Sequence, residues 1–235
     1  MRNLVLSLFV LISYAVSAQT NYYTMYSFVV EPQNEATIIK LIDDYYSNNK
    51  PDGVFVRLFE NHFQDGSQEA THHLVFSGSQ EAMGAMYAGG DDKFALFLTQ
   101  VNQHIKKGAG SSMGRHISLH IDDGEGNRYP FQRLYLLQVD DTEAFDREYK
   151  KFHSAHRPDG TLSLLATPML GEGWGEYNRV AVVGFKDMKS AMGGTAALLP
   201  EKEREARQKA QTQRRANDGD VDLVGSGLRI LLGAW

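Results

Sequence analysis

The stretch YYSNNKPDGVFVRLFE at residues 45–60 returns as FHSAHRPDGTLSLLAT at 152–167, a fixed 107 positions downstream. In both copies a polar, helix-like segment runs into Pro-Asp-Gly and then into a short apolar run. The two turns are Pro51, Asp52, Gly53 and Pro158, Asp159, Gly160. A repeat of this length is one supersecondary unit built twice, and each unit must bury an apolar face against something. The echo therefore bounds the architecture before any single residue is read. It carries no chemistry: Pro fixes φ, Asp bonds local backbone and Gly permits a positive φ, which makes a turn.

Around each turn the same order of elements is expected. In the first copy Tyr26 to Val30 reads as a strand. Glu35 to Asn48 carries Ile38, Leu41, Ile42 and Tyr45 at the i, i+3, i+4, i+7 spacing of an amphipathic helix. Strands follow at Val54 to Glu60 and His72 to Phe76, helices at Glu81 to Tyr87 and Asp91 to Ile105, and a strand at Arg115 to Ile121. In the second copy strands are expected at Leu134 to Val139, Thr161 to Thr167, Arg179 to Val183 and Leu228 to Leu232. Helices are expected at Glu143 to Ala155 and, densely charged, at Glu201 to Asn217. By the last strand the offset has grown to 114, which places seven extra residues near the charged helix. The first repeat is bounded at 22–121, a Gly-containing linker at 122–130 and the second repeat at 131–235.

Residues 1–18 stand apart. Arg2 precedes an apolar stretch from Leu4 to Val16, and Val16-Ser17-Ala18 supplies the small residues read by a signal peptidase. The stretch is shorter than the roughly 20 residues that span a bilayer. An exported protein, periplasmic or secreted, without stable membrane insertion after cleavage is expected; an uncleaved anchor is the alternative. The chain has no Cys, which removes both a lipid-anchored lipoprotein and any disulfide staple, so stability must come from a packed core. The formal charge of −5, with no basic stripe, argues against nucleic acid as a partner. No phosphate loop, Gly-x-Ser-x-Gly or His-Glu-x-x-His motif is present.

Each repeat thus reads β-α-β-β-α-β, the ferredoxin-like unit, whose sheet has helices on one face only. Two such sheets in one chain can cover each other. The predicted class is α+β, with two tandem ferredoxin-like repeats packed sheet to sheet as an intramolecular α/β barrel. Over nearly all of residues 24–235 this element order resembles the dimeric α/β-barrel superfamily in a fused, single-chain form. Families of that shape include antibiotic-biosynthesis-type monooxygenases, stress-responsive barrels, muconolactone isomerase and haem-binding relatives of chlorite dismutase. The resemblance implies a cavity between the sheets and leaves function to the site.

Strand alternation then nominates lining residues. Val54, Val56 and Leu58 suit the helix side, which leaves Phe55, Arg57 and Phe59 for the lumen. Likewise Ile117, Leu119 and Ile121 are expected under helices, and His116, Ser118 and His120 in the lumen. Either His72 or His73 joins them; His73 is carried as the candidate. The candidate ligand-binding set is therefore Arg57, His116, His120, His73, Phe55 and Phe59, and the second copy is expected to offer mainly apolar surface. The plainer reading is that these histidines are half-buried, hydrogen-bonded strand residues. No metal is expected, because two His at i, i+4 on a strand lie about 13 Å apart at ~3.3 Å per residue. No cofactor is called for, although haem needs only one axial His. His153 and His156 are expected to complement a helix C-terminus, with an acid–base role as the alternative. Trp174, between two glycines, suits a lid, and equally a surface anchor or a plug in the core. The favoured function is a barrel holding a small, partly apolar ligand. The rivals are a cofactor-independent monooxygenase or isomerase, and an interaction protein with a closed lumen.

Overall fold

The computed structural model describes residues 21–64, 69–122, 128–171 and 176–235. The expected signal segment, most of the expected linker and Trp174 lie outside them. The first half runs β1 (Asn21–Val30), α1 (Glu35–Asn49), β2 (Val54–Gln64), β3 (His72–Ser79), α2 (Gln80–Tyr87), α3 (Asp92–Asn102) and β4 (Ile105–His120). The second runs β5 (Phe131–Val139), α4 (Thr142–His156), β6 (Thr161–Gly171), β7 (Arg179–Phe185), α5 (Met188–Ala197), α6 (Glu201–Arg215) and β8 (Val221–Ala234).

The strand order is β1-β3-β2-β8-β5-β7-β6-β4, with β4 returning to β1, so the sheet closes on itself. Each half contributes four neighbouring strands in ferredoxin-like order. The halves join along two antiparallel seams, β2 with β8 and β4 with β6. The two sheets therefore face each other across one lumen and are also stitched at both edges. Closure leaves no unpaired strand edge among the described strands.

Both Pro-Asp-Gly turns do the same local work. Lys50, before Pro51, is extended (φ −65°, ψ 129°), because the proline ring disfavours the helical conformation one residue earlier. Gly53 and Gly160 then take φ of +71° and +73°, turning the chain straight into β2 and β6. Outside the barrel, α1 lays Ile38, Ile42 and Tyr46 on Val54, Val56 and Leu58, together with Phe97 and Val101 of α3. In the second half Phe145 and Tyr149 of α4 cover Val139, Leu165 and Ala181. Thr161 and Ser163 point under α4 without penalty, since Thr161 donates to the Pro158 carbonyl (2.6 Å) and Ser163 Oγ meets Tyr149 Oη (2.8 Å).

Several boundaries differ from expectation. The helix predicted to reach Ile105 stops at Asn102, and the strand predicted from Arg115 begins at Ile105, where it pairs with Val30. Gly108, Gly110 and Gly114 hide a strand whose order comes from its neighbours rather than from local propensity. The last strand likewise begins at Val221 instead of Leu228. The helix α5 was not among the predicted elements; it contains Gly193-Gly194 and kinks at Gly194 (φ +69°). The charged helix α6 is more than a solvated rod. Arg207 and Arg214 lie over the Phe152 ring of α4 at 4.9 and 5.5 Å, packing their stems against the aromatic face.

Candidate functional site

A cavity of about 220 Å³ occupies the lumen. Its floor is apolar and comes from the second half: Leu162 and Leu164 of β6, Val180 and Val182 of β7, and Leu134 of β5. Its polar side is built mainly from β2, β3 and β4. Arg57 of β2 is half-buried, with Nη1 3.4 Å from Ser77 Oγ and its guanidinium 5.2 Å from the Phe55 ring centroid. Phe55 is 53% exposed, so it stands where the cavity meets solvent, whereas Phe59 is buried.

His73 faces the lumen and His72 faces the helices, where it stacks on Phe28. Both ring nitrogens of His73 are engaged, Nδ1 with Ser27 Oγ (2.9 Å) and Nε2 with Asn61 Nδ2 (2.7 Å). The Asn61 amide nitrogen also donates to the Ala70 carbonyl, which fixes the amide orientation. Nε2 of His73 must then be the acceptor and Nδ1 the protonated nitrogen. Burial, reinforced by Arg229, holds this ring neutral, its pKa pulled down to about 3. His73 is scaffold rather than a hand held out to a ligand.

His116 is different. Its ring stacks on Tyr23 of β1 (centroids 5.8 Å), and Nδ1 is buried without a hydrogen-bond partner among the described residues. Burial, then Arg57, then Arg229 draw its pKa down to about 4. Gly114 makes room for this arrangement. A Cβ there would come within 2.5 Å of the Tyr23 ring and 2.2 Å of the Thr167 carbonyl. Tyr23, buried beside these rings, has its phenol pushed well above the ordinary value by desolvation.

His120, expected in the lumen, is not there. The ladder between β4 and β6 pairs His116 with Ala166 but Ser118 with Leu165, so β4 carries one extra residue at Ile117-Ser118. A bulge reverses every side chain beyond it. Leu119 and Ile121 consequently line the lumen, and His120 turns under α4 to stack on His153 (6.5 Å). Ser118 follows it out of the candidate set, since its partner Leu165 belongs to the core beneath α4. The helix-capping expectation for His153 also fails. The residue is buried against Tyr149, and burial with Arg214 lowers its pKa to about 3, so it carries no positive charge to offer a helix dipole. Arg207 of α6 meets that end instead, donating from Nε to the His156 carbonyl (3.1 Å).

A buried charged lumen residue escaped the sequence argument altogether. Arg229 of β8 is 8% exposed, lies 3.9 Å over the Phe59 ring centroid and donates from Nε and Nη2 to Gln132 Oε1 (3.0 and 2.9 Å). Desolvation and the neighbouring Arg57 charge pull its pKa down to about 9. The signal was available: Arg229 is the one charged side chain in the apolar run LRILL. The second half is therefore not purely apolar. No Asp or Glu is among the described lining residues. Among the described residues, no group of three or more His, Asp or Glu side chains could hold a metal ion. No described helix is long and apolar enough to cross a membrane.

A second, larger hollow of about 1130 Å³ lies outside the barrel, between the α1–α3 helices and the outer face of β1 and β3. Its tyrosines are engaged with one another, Tyr87 Oη reaching both Tyr26 Oη (2.8 Å) and Thr24 Oγ1 (2.9 Å). The lumen, with a buried imidazole nitrogen still unmatched, is the stronger candidate.

The architecture is that of a dimeric α/β barrel in which both ferredoxin-like halves belong to one chain. Solved structures of this shape agree. A protein from Fusobacterium nucleatum provisionally named a monooxygenase superposes with a TM-score of 0.60 at 15% identity, covering 92% of this chain and 94% of its own. A second provisionally named monooxygenase, from Lactobacillus acidophilus, gives 0.59 at 11%, covering 92% and 96%. An anthrone oxidase-like protein gives 0.54 at 12%, covering 92% and 93%. No protein-family model matches the chain, and no curated protein sequence matches it.

Proposed function

We propose that the protein binds a small, partly apolar molecule in the barrel lumen, with the polar end of the ligand against Arg57 and His116 and its body on Leu162, Leu164 and Val182. The observation that carries this is the hollow itself: two sheets that could have packed shut instead enclose about 220 Å³ with one polar wall and one apolar wall. Apolar surroundings with a few convergent polar groups are the usual form of a small-molecule site. A thermal-shift screen tests it. Ligands should raise Tm in the parent protein, and Arg57→Ala and His116→Ala should abolish the rise while leaving a folded protein. A protein that responds to no ligand, yet loses stability heavily on either substitution, would have these residues as core filling only.

Catalysis is the second reading, favoured by the names of the fold neighbours. His116 would then move a proton. A general base works best with a pKa near the working pH, and about 4 is low for that task. Binding is therefore placed first. Oxygen uptake with anthrone as substrate, lost in His116→Ala, would reverse the order.

A further inference from the structure

We infer that the lumen selects for negative charge, taking a single-ring or similarly compact monocarboxylate whose carboxylate is held by Arg229 and Arg57. This rests on the lumen being a ligand site and adds the class of ligand. Arg229 is the anchor. Its guanidinium has five N–H donors in a fixed fork, two of them given to the Gln132 amide oxygen. The other three have no protein acceptor among the described residues. A buried cation ordinarily sits against a carboxylate, because a neutral dipole and a ring face return only part of the lost hydration. Here Gln132 supplies the dipole, Phe59 supplies the face, and no described lining residue supplies the anion.

Arg57 sharpens the imbalance. Both guanidiniums line the cavity, the Arg57 charge acts on Arg229, and both lower the proton affinity of His116. The imidazoles adapt by staying neutral, but the arginines cannot. A carboxylate matches a guanidinium fork in two parallel hydrogen bonds, so it would answer the Arg229 donors that the described residues leave unmatched, with the Arg57 charge adding to the attraction. Size and the opposite wall set the rest. An engineered apolar cavity of about 150 Å³ holds a benzene. The lumen, at about 220 Å³, has room for one ring plus a carboxylate, with the ring on Leu162, Leu164 and Val182. Inorganic anions would leave that apolar wall unused.

Calorimetric titration of the full chain with benzoate, and with the neutral isostere benzamide, tests the inference. The parent protein should bind benzoate at least tenfold more tightly than benzamide. Arg229→Met should bring the two ligands level, and Arg229→Lys, which keeps the charge, should retain much of the preference. Arg57→Met serves as a second variant on another strand and should also narrow the gap, which guards against misfolding of β8. Equal affinity for both ligands in the parent overturns the charge selection and leaves a neutral-ligand lumen standing. Benzoate binding unchanged in both methionine variants overturns it too, placing the ligand elsewhere. Failure of both compounds to bind or to shift Tm would remove the lumen site, and the present inference with it.

Discussion

Burial is the main cause that pulls His73 and His153 to about 3 and His116 to about 4, with Arg229, Arg214 and Arg57 respectively next in weight. Each is neutral in the fold and titrates near 6.5 once unfolded, so the unfolded chain binds the extra protons. Stability is then fully present above about pH 6.5 and drains away as pH falls toward 4, at about 1.4 kcal/mol per pH unit for each histidine involved. Urea denaturation between pH 7.5 and 4.5 should show that slope, and His73→Gln should reduce it by one proton. At this scale the sequence was a fair guide where strands are regular. Alternation put Arg57, Phe55 and Phe59 on one face, and it narrowed His72 and His73 to one of two. Arg229 was missed because its strand was judged by its apolar neighbours.

Elements were most legible where chain chemistry forces a shape. The repeated turn shows it, since both glycines adopt a left-handed φ that a side chain disfavours by roughly 1–2 kcal/mol. The two copies are not equivalent. A Cβ on Gly53 would press on Ala82 Cβ at 3.1 Å, whereas on Gly160 it would meet only the flexible Lys186 stem at 3.5 Å. Gly53→Ala should therefore destabilise more than Gly160→Ala, each by about 1 kcal/mol or more in chemical denaturation. The bulge in β4 was not legible. Nothing in the string HISLH marks an extra residue, because it exists only relative to the register of β6. One residue of slippage was enough to exchange His120 for Leu119 in the lumen.

For the whole molecule, the 107-residue echo disclosed two halves and their element order, but not how they are sewn together. Partner choice between strands distant in sequence has no local signature. The β2–β8 seam ends at Trp235, whose backbone trades hydrogen bonds with Val56 (3.0 and 2.9 Å) and whose indole donates to Asp43 of α1 (2.9 Å). Trp235→Ala should cost about 2 kcal/mol, below the 3–5 of a fully buried aromatic since this side chain is only half-buried. Faster amide exchange at Val56 than at Val182, on the far side of the ring, would show that the loss falls on the seam.

That seam also imposes a calendar on the chain. β2 is made early, and β8, its neighbour in the ring, is the last of the described strands to be made. Until Val221–Ala234 emerges, β2 waits as a bare edge with residues 65–220 between it and its mate. Such distant pairings form slowly. Two nascent chains held side by side can each lend the strand the other lacks, so crowded synthesis should favour interlocked pairs that slower production avoids.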